Sequence, residues 1–159
     1  MELQLGQILA LVAAAIAIIL SGIGSSRGVG MAGETASGVV TENPDVAGKL
    51  LVLQLLPATQ GIYGFLIAVM VLLNTGVLGG QMLPVSLEQG LKFIVGSLPV
   101  GIIGWVSAIL QARVACAGML LTGQRPDMSG RAIMMTVMVE TYAVFALLVS
   151  FLIVNSVMG

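Results

Sequence analysis

Four long apolar stretches, separated by short polar interruptions, make up the chain. No charge stands between Glu2 and Arg27, between Lys49 and Glu88, or between Lys92 and Arg113. After Arg131 only Glu140 interrupts the run to the C-terminus. A helix crosses the hydrocarbon core with about 20 mostly apolar residues, and each stretch supplies them. The pattern predicts four transmembrane helices, about 6–33, 49–77, 88–121 and 129–156. The expected fold class is therefore an all-α membrane protein.

Composition strengthens this reading. Of 159 residues, 58% are hydrophobic and 8% charged, with a mean hydropathy of +1.10; soluble domains carry roughly 25% charged residues. The first run lacks a basic leading segment and is too long for a secretory signal. A net charge of −1 leaves no basic patch for nucleic acid. With no histidine and the single Cys116, the chain cannot build a usual zinc site, an imidazole triad or an internal disulfide. Cys116 reads as a small apolar filler.

The cations orient the spans. Connections around 34–49 and 122–131 hold Lys49, Arg125 and Arg131, with Arg27 and Arg113 on the helix ends leading into them. The other side offers Lys92 alone. The positive-inside rule places both connections in the cytoplasm and both termini outside.

The chain also repeats itself. "SGIGSSRG" (21–28) set over "SAILQARV" (107–114) pairs Ser21 with Ser107, Ile23 with Ile109 and Arg27 with Arg113. "ATQGIYGFLIAV" (58–69) set over "MVETYAVFALLV" (138–149) pairs Phe65 with Phe145, Val69 with Val149, and Gln60 with Glu140. The result is two tandem hairpins, 1–82 and 83–159, running in the same direction through the membrane.

"GVGMAG" (28–33) matches a dinucleotide-binding fingerprint by its letters, but a transmembrane-length apolar run precedes it and no strand does. Small residues recur there every fourth position, Gly22–Ser26–Gly30 on one line and Gly24–Gly28–Ala32 on the next. That spacing lets membrane helices approach closely. We read the glycines as packing residues.

Glu140 calls for a function. A carboxylate at a helix centre costs roughly 2.5–3.5 kcal/mol on insertion scales, and such residues mark ion or proton pathways. Its candidate partners are the polar residues inside the other spans. Pro57 in "LQLLPATQGIYG" removes an N–H and frees local carbonyls. Thr59, Gln60 and Tyr63 follow it, and the third span adds Gln111. One carboxylate among amide, hydroxyl and carbonyl oxygens suits a hard monovalent cation and leaves the loaded site neutral. Na⁺, Li⁺ or a proton fits that charge. Two glutamines and a threonine exceed what a proton needs, and so favour Na⁺.

Four helices in two hairpins, with "LQLLPATQGIYGF", "QARVACAG" and "MVETYA" in the second, third and fourth, resemble the rotor-ring proteolipid of V-type ATPases. The resemblance is greatest to the K (c) subunit of the bacterial sodium-translocating type, and covers nearly the whole chain. It implies a closed ring of identical subunits in the cell membrane, with the first and third helices inside and the second and fourth outside. It implies that Glu140, Gln111, Gln60, Thr59 and the Leu56 carbonyl hold Na⁺, while Tyr63 hydrogen-bonds the glutamate. It further implies a membrane stator subunit with an essential arginine and a central-stalk subunit on the cytoplasmic loops. The chain holds no P-loop, so ATP hydrolysis belongs to another subunit. A proton-carrying ring is the alternative. A proton-coupled drug antiporter fits less well, because Trp105 and two tyrosines are scarce material for an aromatic-lined cavity.

Overall fold

The computed structural model describes residues 4–157, and among them every regular element is helical. The α-helices are α1 (Leu5–Glu42), α2 (Ala47–Leu55), α3 (Thr59–Asn74), α4 (Leu87–Gln124) and α5 (Ser129–Asn155). A 3₁₀ turn over Leu56–Ala58 joins α2 to α3, so these two make one broken span. Four spans are long and apolar enough to cross a membrane: Leu5–Glu42, Pro44–Asn74, Leu87–Gln124 and Pro126–Asn155. Helices satisfy their backbone polar groups internally, which lipid requires.

The first helix is longer than its apolar run. Segment 34–42 is not part of a loop: α1 continues through it to Glu42, and the connection shrinks to Asn43 and the 3₁₀ turn Pro44–Val46. "ETASGVVTE" is polar but contains no proline, and the helix stops only where Asn43-Pro44 breaks it. Ala36 and Val39 continue the buried face of the helix through this segment. Arg27 consequently lies well inside α1 rather than at its end, and Arg113 likewise lies inside α4.

α1 and α4 run parallel, backbone against backbone. A Cβ on Gly24 would lie 2.5 Å from the Trp105 Cα, and one on Gly28 would lie 2.9 Å from the Ala108 carbonyl oxygen. A Cβ placed on Gly22 or Gly30 would meet no other part of the chain within 4 Å. The two small-residue lines therefore differ in use: Gly24–Gly28–Ala32 is buried against α4, whereas Gly22–Ser26–Gly30 faces outward.

Two apolar clusters fill the bundle. One gathers Ala10, Ala13, Ala17, Ile67, Phe93 and Val154; the other gathers Ala32, Val39, Leu50, Leu53, Met119 and Ala132. Between them lies a buried polar layer containing Ser21, Ser25, Gln60, Gln111 and Thr136. Side chains tie the turns at both ends. Gln7 Nε2 donates to the Leu83 carbonyl at 2.9 Å, and at the other end Asn43 Nδ2 donates to Gly123 at 3.0 Å and Lys49 Nζ to Pro126 at 2.9 Å.

Candidate functional site

The polar layer is built around the interruption of the second span. Pro57 has no N–H to continue the helix, so α2 ends at Leu55 and α-helical bonding resumes at Thr59. The resumed helix projects Gln60 and Tyr63, one turn apart, toward α4 and α5. Gln60 is fully buried, and Gly64 behind it lets α3 close onto Ser21 and Ala17 of α1. α4 contributes Gln111, also fully buried, and α5 contributes half-buried Glu140.

Four of the six expected site residues form one hydrogen-bonded chain. Tyr63 Oη donates to Glu140 Oε1 at 2.5 Å. Gln111 Nε2 faces two acceptors, the Thr136 carbonyl at 3.2 Å and Glu140 Oε2 at 3.5 Å. Gln60 Nε2 donates to Gln111 Oε1 at 2.6 Å. Thr59 and Leu56 form a separate pair beside it, with Thr59 Oγ1 donating to the Leu56 carbonyl at 2.9 Å.

This network fixes the orientation of both amides. Gln111 must turn its nitrogen to the Thr136 carbonyl, which accepts only, and the same nitrogen then faces Glu140. Its oxygen then faces Gln60, so Gln60 must present its nitrogen. That leaves Gln60 Oε1 buried with no donor at all. An unsatisfied buried acceptor costs about 1–3 kcal/mol. A cation beside it would remove that cost.

Among the described residues no three His, Cys, Asp or Glu side chains gather in a conventional metal cluster. Whatever this layer holds is held by one carboxylate and by neutral oxygens. The donor set is hard, all-oxygen and singly charged, and suits an alkali ion or a proton rather than a transition metal.

Two contributors are not evident from residue type alone. The Thr136 carbonyl anchors Gln111, and no side-chain signal reports a carbonyl's use. Ser25 of α1 accepts a hydrogen bond from the Gly61 N–H at 2.7 Å. Its signal is in the repeat, where Ser25 falls opposite Gln111.

Known proteins resemble the chain over most of its length. The profile of the ATP synthase C-subunit family matches the chain twice, over residues 12–71 and 94–153, once in each hairpin. The V-type sodium ATPase subunit K of Enterococcus hirae is 45% identical over 149 residues, covering 94% of this chain and 92% of that protein. The A-type ATP synthase subunit K of Methanocaldococcus jannaschii is 35% identical over 150 residues, covering 94% of this chain and 63% of that longer protein. With its broken second span and a profile match in each half, the chain belongs to the ATP synthase C-subunit family.

Proposed function

We propose that this chain is a rotor-ring subunit of a V-type ATPase and that each copy carries one Na⁺ across the membrane at Glu140. The observation that carries the reading is the orphaned Gln60 Oε1, buried in the same hydrogen-bonded chain as Glu140 and Gln111. A proton on Glu140 would leave that oxygen unsatisfied. A Na⁺ ion takes it as a ligand together with Glu140, Gln111, Thr59 and the Leu56 carbonyl, with Tyr63 bonded to the carboxylate. The name of the Enterococcus relative, a sodium ATPase subunit, supports the same choice of ion.

One carboxylate and one Na⁺ sum to zero charge. A loaded protomer therefore faces lipid without the penalty of a bare charge. Identical copies close into a ring in a bacterial cell membrane, and rotation carries each neutral site between two half-channels of a stator subunit. An arginine on the stator displaces the ion by supplying its own positive charge to Glu140. ATP hydrolysis takes place on other subunits and reaches the ring through a central stalk. The stalk docks on the side bearing Lys49, Arg125 and Arg131, which the positive-inside rule makes cytoplasmic. Each ion moved against 100 mV costs about 2.3 kcal/mol.

The test is carboxyl modification of the purified ring at neutral pH. Na⁺ should slow the reaction of a carbodiimide with Glu140, and Glu140→Gln should abolish both labelling and ²²Na⁺ binding. Labelling at the same rate with and without Na⁺ would sink the sodium reading and leave the proton ring.

A further inference from the structure

We propose that Ser25 of α1 is a positioning residue for the ion site, holding the restart of α3 so that Gln60 and Tyr63 meet Gln111 and Glu140. This inference rests on the ion reading above.

The local chemistry begins with the break at Pro57. The first amides of any α-helix lack an intrahelical acceptor and need a cap. α3 begins at Thr59, and its N-cap is Ala58, whose side chain has no oxygen to offer. Gly61, in the first turn, donates its N–H to Ser25 Oγ at 2.7 Å instead. Ser25 is 7% exposed, so the hydroxyl end of this bond is buried. The cap of α3 is thus supplied by a different helix.

Geometry makes the contact specific. Serines inside helices ordinarily bond a carbonyl of their own helix, as Ser21 does one turn earlier with Ala17 at 2.7 Å. The oxygen of Ser25 reaches across to α3. The contact is close: a Cβ on Gly61 would lie 3.1 Å from the Ser25 Cβ, and would press the two helices apart by a few tenths of an ångström.

The repeat gives the arrangement its logic. Setting 21–28 over 107–114 places Ser25 on Gln111, as setting 58–69 over 138–149 places Gln60 on Glu140. Gln111 reaches from α4 to α5 at Thr136 and Glu140. Ser25 reaches from α1 to α3 at Gly61. In each hairpin the same position of the first helix grips the second helix at the level of the ion. One grip contributes a side chain to the ion site, while the other fixes the helix carrying its remaining side chains. Without Ser25 the Gly61 N–H loses this partner in the half-buried first turn. The first turn of α3 then rotates to find an acceptor, and Gln60 and Tyr63 move with it.

The experiment measures ²²Na⁺ affinity and Li⁺ competition on intact purified rings of the wild type, Ser25→Ala, Gly61→Ala, Thr122→Ala and Glu140→Gln. Ser25→Ala should weaken Na⁺ binding about tenfold, keep one site per protomer, and shift the Li⁺-to-Na⁺ affinity ratio about threefold or more. Gly61→Ala, which disturbs the same bond from the other side, should shift the ratio too. Thr122→Ala removes a buried hydroxyl bonded within its own helix to the Gly118 carbonyl, away from the polar layer, and should leave the ratio within about twofold. An unchanged ratio in Ser25→Ala, or an equal shift in Thr122→Ala, overturns the proposal. If Ser25→Ala rings do not assemble, Gly61→Ala decides, and failure of both to assemble makes Ser25 merely structural. Na⁺ binding that survives Glu140→Gln instead overturns the ion reading itself.

Discussion

Glu140 is half-buried, yet both of its oxygens are engaged, one by Tyr63 and the other by Gln111. The 2.5 Å bond from Tyr63 is the shorter of the two. Hydrogen bonds to charged groups contribute about 1.5–3 kcal/mol. Tyr63→Phe removes this one while keeping the aromatic ring in place, so we expect ²²Na⁺ affinity to fall about tenfold with one site per protomer retained; an unchanged Kd would show that the bond does not hold the loaded state. These residues are legible in the sequence because a polar side chain in an apolar run has few reasons to be there. Glu140, Gln111, Gln60 and Tyr63 stand out on that ground, and the structure joins them into one chain. Ser25 does not stand out. A serine in a membrane helix can satisfy itself on its own backbone, so its letter alone says nothing about a partner on another span.

At the scale of the element, the glycines of α1 separate packing within a chain from packing between chains. A side chain at Gly24 collides with the backbone of α4, whereas one at Gly22 meets open space. Gly24→Leu should therefore prevent a folded protomer from accumulating. Gly22→Leu should yield a folded protomer that fails to assemble, read as the mass of the particle in mild detergent. A closed ring of Gly22→Leu would show that this line does not face a neighbour. The sequence supplies the fourfold spacing of both lines, but only the angle at which α1 meets α4 decides which line is covered. Helix ends are hidden for a related reason. Hydropathy reports where lipid stops, while a helix stops where its backbone bonding is broken, and α1 outruns its apolar segment until Asn43-Pro44. Pro57 is the converse case, since a missing N–H is written directly in the sequence and the 3₁₀ turn appears beside it.

For the whole molecule, the proposed sidedness rests on a few cations. In a chain whose lone Cys116 is replaced by Ser, cysteines at the exposed positions Asp45 and Asp127 should react with an impermeant maleimide only in inside-out vesicles. One at exposed Gln81 should react only in right-side-out vesicles, and the reverse pattern would invert the proposed orientation. The pairing of Gln60 with Glu140 has a mechanical consequence. Two hairpins share a single acid, so a ring of given girth moves half as many ions per turn as one with an acid in every hairpin. The work available from ATP in one turn is then divided among fewer charges, each costing about 2.3 kcal/mol per 100 mV. Such a ring runs in low gear: it delivers less cargo per revolution, and can keep turning against about twice the opposing voltage.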